Sequence, residues 1–211
     1  MNQINRRQID EIEFPRLLGD RLCLDFANSV ESPLEEPQEF LTDFEALARW
    51  GRHVGLLDDG QVVAGVRAER AQPDLAARLY ADALDLRTSI QHAFVAIAED
   101  GEVGDDDLAG IQQAYLQGLQ QCQLLLDSRR AQWAWACGGD MSAVEYVLWR
   151  VAQSAADLLT DGDLARVKTC GCGWLFYDTS RNGSRRWCSM EGCGTQAKMR
   201  RYTAKRRAAR V

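Results

Sequence analysis

Apolar residues recur at helical spacing along most of the chain, and the exceptions are as informative as the rule. Residues 1–13 are polar and read as a loosely ordered lead-in. Phe14–Gly19 is a short apolar piece ended by glycine and reads as extended. Leu22, Phe26 and Val30 then share one helical face, with Cys23 and Ala27 beside them. Asp25 and Asn28, three apart, fall together on the neighbouring face. Two prolines make E-S-P-L-E-E-P-Q-E-F a loop. Thr42 with Glu45 matches a capping box, and Phe44, Leu47, Ala48, Trp50 and Val54 form the stripe behind it. That helix closes over Leu56–Gly60, where another begins, and Val62–Ala71 continues as helix.

Pro73 suits the first turn of a long helix running to Glu99. Leu75, Leu79, Ala83, Leu86, Ile90, Phe94 and Ile97 form its stripe, and Gly101 and Gly104 end it. Asp105–Asp107 place acids where the next helix dipole favours them, ahead of Leu108, Ile111, Tyr115 and Leu119. The period then changes from helical to alternating. Q-L-L-L-D-S-R-R-A-Q-W-A-W-A-C, with Trp133, Trp135 and Cys137 alternating with small residues, predicts a β-hairpin. Ser142 and Glu145 cap a further helix whose face is Val144, Val147, Leu148, Val151, Ala155, Leu158 and Leu159, ended at Asp161-Gly162.

The last quarter has a different pattern. Cys170, Cys172, Cys188 and Cys193 stand in two close pairs, which is how a structural zinc site looks in sequence. Between them W-L-F-Y alternates as a strand, Asn182-Gly183 signals a two-residue turn, and S-R-R-W reads as the returning strand. After Cys193, Q-A-K-M-R-R-Y-T-A-K-R-R-A-A-R holds helix formers without Gly or Pro. A knuckle, a hairpin and a ligand-bearing helix start make a treble-clef-like arrangement. One structural Zn²⁺ would contribute to its folding, because the segment has few apolar residues of its own to bury. The single residue between Cys170 and Cys172 is tighter than the usual two to four, and Gly171 supplies the freedom to close it. Reduced core cysteines, or a redox pair, are the alternative reading.

Charge divides the chain at the same place. The whole carries a net charge of −6, yet residues 166–211 hold 12 basic and two acidic residues, a net of +10. Residues 1–165 hold 13 basic and 29 acidic residues, a net of −16. Such asymmetry predicts two modules with different partners. The fold expected is α+β: a mostly helical domain over residues 1–165 with a small hairpin, and a zinc finger with a basic C-terminal helix over residues 166–211. The join between them is short. No apolar run reaches the roughly 20 residues of a membrane helix, and no secretory signal opens the chain. The remaining cysteines, Cys23, Cys122 and Cys137, are scattered and odd in number, which suits a reducing cytoplasm.

C-G-W-L-F-Y-D-T-S-R-N-G-S-R-R-W-C-S-M-E-G-C-G-T-Q-A-K resembles the CGNR zinc finger, a bacterial family whose role is taken to be DNA-binding transcription regulation. The match spans Cys170–Arg201, with Gly194-Thr195-Gln196 where the family signature has Gly-Asn-Arg. The upstream chain resembles the ABATE domain that usually precedes this finger, through L-C-L-D-F-A-N-S, A-L-D-L-R around Arg87, W-A-W and S-A-A-D-L-L. The resemblance implies a stress-linked or ligand-responsive regulator.

The candidate contacts to nucleic acid are Arg185, Arg186, Lys198, Arg200, Arg201, Lys205, Arg206 and Arg207, with Arg210 beyond them. Phosphate neutralisation of this kind gives affinity without sequence choice. A solvated basic helix is the plainer reading of the same run, and Arg181 or Arg185 could instead pair with Asp178. Trp174, Phe176 and Trp187 read as the small core of the finger. In the body, Asp25, Asn28 and Arg87 could line a small-molecule pocket, or form a buried Asp–Arg pair with an amide bonding a helix end.

These features predict a regulator whose partners are double-stranded DNA, a small-molecule effector and a second copy of itself. RNA binding and a zinc-stabilised protein-interaction module are the alternatives. An enzyme is not expected, because the chain has two histidines, no nucleophile motif and no phosphate-cradling loop.

Overall fold

The computed structural model describes residues 14–30, 38–127, 129–135 and 142–208. The lead-in, most of the proline loop, Cys137 and Arg210 lie outside those residues, as do the side chains of Ser142, Lys205 and Arg207. Helices α1 (Leu22–Ala27), α2 (Phe44–His53), α3 (Asp59–Ala71), α4 (Pro73–Ala98) and α5 (Asp105–Gln120) come first. The hairpin β1 (Cys122–Asp127) and β2 (Arg130–Trp135) follows, then α6 (Ser142–Asp161). A 3-10 turn at Leu164–Arg166 leads into β3 (Val167–Thr169) and β4 (Leu175–Tyr177). A π turn at Met190–Gly194 runs directly into α7 (Thr195–Ala208).

Helix α4 is central and packs against α1, α2, α3, α5 and α6, and also against β3 and β4. Its predicted stripe is the observed one, with Leu79, Ala83, Leu86, Ile90 and Phe94 buried. Facing it are Leu24 and Phe26 of α1, Leu47 and Trp50 of α2, and Val144, Val147 and Val151 of α6. Phe26 meets Trp50 edge-on at 4.8 Å. Each such large apolar side chain contributes about 1.5–3 kcal/mol by leaving water.

Several boundaries differ from the sequence expectation. The cap of α2 is Asp43, whose carboxylate accepts from the Ala46 N–H at 2.7 Å, and not Thr42. Helix α2 stops at His53, Gly55 turns the chain at φ +77°, and a full capping box between Asp58 and Gln61 opens α3. Helix α1 has six residues and does not reach Val30. It ends where the buried Ser29 hydroxyl donates to the Phe26 carbonyl at 2.7 Å. The β1–β2 hairpin forms as expected, with Leu124 opposite Trp133.

The largest correction concerns the finger. S-R-R-W is not a strand. Strand β4 pairs instead with β3, Val167 opposite Tyr177 and Thr169 opposite Leu175, so the hairpin closes across the first cysteine pair. Asn182-Gly183 does turn, with Gly183 at φ +59°, but no ladder follows it. Val167, Leu175 and Tyr177 belong to the same apolar core as the helices. The first half of the finger is therefore built into the body.

Candidate metal centre and nucleic-acid interface

Strands β3 and β4 hold the first cysteine pair in a tight turn. The Cys170 N–H donates to the Trp174 carbonyl and the Gly173 N–H to the Cys170 carbonyl, both at 2.8 Å. Gly173 sits at φ +92°, a conformation that a side chain would strain. The second pair comes from Cys188, at the end of an irregular loop, and Cys193, inside the π turn. The Ser189 side chain caps that turn by accepting from the Gly192 N–H at 3.2 Å.

All four sulfurs lie within 4.8 Å of one another. Cys172 and Cys188 are 3.7 Å apart, and Cys188 and Cys193 are 3.6 Å apart. A tetrahedral zinc ion with Zn–S bonds of about 2.3 Å has S···S edges of about 3.8 Å. The tight Cys170–Cys172 pair thus reaches the same point as the other two. Phe176 is fully buried against the cluster, and Leu18, Trp174 and Trp187 pack around it, so the aromatics form the finger's small core.

Electrostatics give the cluster its need for a cation. Hydrogen bonds from Cys172 and then Cys188 hold the Cys170 thiol far below the usual thiol range. The same neighbourhood drives the Cys188 thiol far above it, through Cys170 and Cys172. Burial, with Cys172 beside it, pushes Cys193 up to about 11. Thiolates this close repel one another unless a dication sits between them. The donor set and its spacing suit one structural zinc ion.

A second organising centre is Asp178, fully buried. Its carboxylate accepts from the Lys168 ammonium at 2.6 Å, the Ser180 N–H at 2.9 Å, the Ser180 hydroxyl and the Arg185 N–H at 2.8 Å. Lys168 also donates to the Gly183 carbonyl at 2.6 Å. This network claims the backbone from Ser180 to Arg185 for a side chain, which is why that stretch forms no strand. Burial raises the Asp178 pKa, but the Lys168 and Ser180 hydrogen bonds outweigh it and hold the carboxyl below the usual carboxylate range. A depressed carboxylate stabilises the fold at neutral pH and loses that contribution as pH falls below about 4. Asp178→Asn is therefore expected to lower Tm at pH 7, with the gap from wild type narrowing between pH 4 and pH 3. Thermal melts at pH 7, 5, 4 and 3 read this; a gap that widens on acidification contradicts it.

The body grips β4 along the edge that β3 leaves free. The Asn28 amide donates to the Leu175 carbonyl at 2.8 Å and accepts from the Leu175 N–H at 2.9 Å, as a neighbouring strand would. The Tyr177 N–H donates to the Gly19 carbonyl at 2.9 Å. The Asp25 carboxylate holds that Gly19 by accepting from its N–H at 2.8 Å. Arg21 lies over the Tyr177 ring at 3.9 Å. Arg87 pairs with Glu39, in two hydrogen bonds that include Nη1 to Oε1 at 2.6 Å, and reaches the Ser29 hydroxyl at 3.3 Å. The Asp–Arg pair considered from sequence is replaced by this Glu39–Arg87 pair. Asn28 spends both amide atoms on Leu175 of β4.

The basic candidates divide. Arg185 is committed: its guanidinium donates to the Trp187 carbonyl at 2.9 Å, the Cys188 carbonyl and the Asp20 carboxylate, and lies over the Phe176 ring at 4.8 Å. It is a bracket for the second cysteine pair. Arg186, Lys198, Arg200, Arg201 and Arg206 are exposed. Lys198 and Arg201 share one side of α7 at a spacing of three, with the backbone of Lys205 four further on. In the altered signature, Thr195 donates its hydroxyl to the Met190 carbonyl at 3.1 Å, while Gln196 faces solvent.

Sequence reasoning missed the work of Lys168, Asp178 and Asn28. The D-x-S within F-Y-D-T-S was the available signal for Asp178, since an Asx turn is a local pattern. Nothing local marks Lys168 or the partner of Asn28.

Among the described residues, no helix is long and apolar enough to cross a membrane. No curated protein matches the chain. Two family models do: ABATE, described as "Putative stress-induced transcription regulator", over residues 20–162, and the CGNR zinc finger over residues 166–206. The second covers all four cysteines, the Asp178 network and most of α7, while the first covers α1 to α6 and with them Asn28. The chain thus belongs to the ABATE family and carries a CGNR zinc finger at its C-terminal end.

Proposed function

We propose that this protein is a zinc-dependent, DNA-binding transcription regulator. The finger meets duplex DNA through α7, and the acidic body senses a ligand or mediates association. One observation carries the reading. Helix α7 buries almost nothing: of its described residues only Ala197 is even half-buried, and its sequence contains no acid. A helix polar all round gains no stability from packing. Here it is held at one end by the metal site and presents Lys198, Arg200, Arg201 and Arg206 outward, which suits a polyanion. The body, at −16, is repelled by the same polyanion and orients the approach.

The grip of α1 on β4 supports a regulator over a free finger, because a change in the body moves the strand that carries the knuckle. The cytoplasm suits the chemistry. Cys23 is buried, its thiol pushed up to about 12 by that burial, and is inert there.

With Arg186, Lys198, Arg200, Arg201 and Arg206 each neutralising one phosphate, log Kd should change with log salt by about 4.5, from roughly 0.9 per contact on duplex DNA. Lys198→Glu with Arg201→Glu should weaken binding roughly a hundredfold at 100 mM salt and flatten the dependence. Anisotropy titrations with labelled duplex DNA, and with RNA of the same sequence as competitor, measure both. A salt dependence near zero, or RNA displacing DNA completely at equal concentration, contradicts the proposal.

A further inference from the structure

A cavity of about 140 Å³ opens between α4, α5, α6 and β2, on the body and away from the cysteines. Its deepest lining residues are Leu79, Leu86 and Trp149, all buried, with Trp135 forming a half-buried wall. Trp135 stacks on Trp149 at 5.6 Å and 27°, and Tyr146 meets both rings at 5.7 and 5.9 Å. The indole of Trp149 is fixed from behind. A Cβ on Gly118 would come within 2.1 Å of its Cδ1, so α5 approaches it as only glycine allows. Trp149 is 4% exposed, so its ring is a fixed, buried part of the wall.

The charges at this cavity have one sign. Glu145, half-buried and one turn before Trp149 on α6, has neither a hydrogen bond nor an ion pair among the described residues. Burial pushes its carboxyl up. Asp82 stands exposed at the rim, its carboxyl raised by burial and by Asp85 against the opposing pull of Arg78. Among the described residues, no Lys, Arg or His lines the space. Indole faces attract cations more strongly than other rings do, and a carboxylate without a counter-ion in a partly dry site favours a cation further. The apolar floor and a volume close to the roughly 150 Å³ that holds a benzene-sized body ask for an apolar or aromatic portion on the same molecule.

We propose that this cavity binds an amphipathic organic cation, a protonated or quaternary amine carried on a small aromatic or apolar body. Glu145 supplies the counter-charge, Trp135 and Trp149 the aromatic faces, and Leu79 and Leu86 the floor for the body. This names the ligand class for the sensing role proposed above and rests on that reading only for its consequence at DNA. Because α4 lines the cavity and also packs against β3 and β4, the occupant would sit on the helix that supports the finger.

The test uses the full zinc-loaded chain without DNA, so its failure is separable from failure of the DNA reading. Three probes share one body: 2-phenylethylammonium, neutral 2-phenylethanol and anionic phenylacetate. Calorimetry and intrinsic tryptophan fluorescence should show the ammonium bound at least tenfold tighter than the alcohol, with the carboxylate not bound. Glu145→Gln should remove the advantage of the ammonium and leave the alcohol unchanged. Asp82→Asn, at an exposed position that cannot threaten folding, should weaken the ammonium about threefold. Equal affinity of ammonium and alcohol, an ammonium unaffected by both substitutions, or no ammonium binding at millimolar concentration each overturn the proposal.

Discussion

Cys188→Ala is expected to abolish zinc binding and to unfold the segment after Tyr177 while the helical body, with β3 and β4, stays folded. Cys188 is the hub of the cluster: it is 2% exposed and its sulfur lies within 3.7 Å of those of both Cys172 and Cys193. Three thiolates do not close a tetrahedron. Structural zinc in small finger domains contributes on the order of 10 kcal/mol of folding free energy. The segment after β4 has little else to hold it, since apart from Phe176 and the half-buried tryptophans its contacts are polar. Helix α7, which buries no face, would lose its anchored end and fray. Native mass spectrometry should find one zinc per wild-type chain and none in the variant. Hydrogen exchange should find α7 unprotected and α4 unchanged. Zinc retained at one per chain, or α7 protected without it, goes against the account.

Asn28→Ala is expected to cost about 2–6 kcal/mol, since it leaves the N–H and the carbonyl of Leu175 buried and unpaired at about 1–3 kcal/mol each. Leu175 is 1% exposed and Asn28 6%, so water cannot replace the amide without opening the core. For a chain of this size that loss is a fall in Tm on the order of 10 °C. Asn28→Asp should do no better, because a carboxylate keeps the acceptor for the Leu175 N–H but sets a negative charge against its carbonyl. Asp25→Ala should be milder, acting only through the Gly19 loop. The signature that separates a grip on the finger from ordinary core damage is local. Exchange should accelerate first at Leu175 and Tyr177, well before α4. Uniform loss of protection across the body would mean that Asn28 is merely a core residue.

The parts legible in the sequence were those with one-sided burial or a local signal. Helix α4 read correctly because its apolar face alternates with exposed polar positions over 26 residues. The β1–β2 hairpin read correctly because W-A-W switched the period. The zinc ligands read correctly because the chemistry fixes residue type and approximate spacing. The failures have physical causes. Asp43 won the cap from Thr42 because one residue of phase decides which side chain meets the free N–H groups, and both types cap well. The second finger strand failed because a buried carboxylate seven residues before Arg185 competes for the same backbone. Asp25 and Asn28 stood out as polar residues on an apolar helix, but the partner of Asn28 is 147 residues away. The amphipathic cavity was illegible for the same reason: Leu79, Trp135, Glu145 and Trp149 come from three separate elements.

The arrangement of the two halves also changes how regulation is pictured. Charge placed the boundary near residue 166, yet β3 and β4 lie in the body's core, with Val167 at 3% and Leu175 at 1% exposed. The separable part begins after Tyr177, where the chain leaves the hairpin for the Asp178 loop, the second cysteine pair and α7.

Whether zinc holds a basic helix in place to meet DNA is read most directly by one measurement. A labelled duplex is titrated with the full chain, zinc-loaded and then metal-depleted under reducing conditions, at salt from 50 to 300 mM. The zinc-loaded chain should show a log–log dependence near 4.5, and depletion should weaken binding at least a hundredfold, with recovery on adding zinc. Duplex binding that is unchanged by removing the metal, or independent of salt, contradicts it.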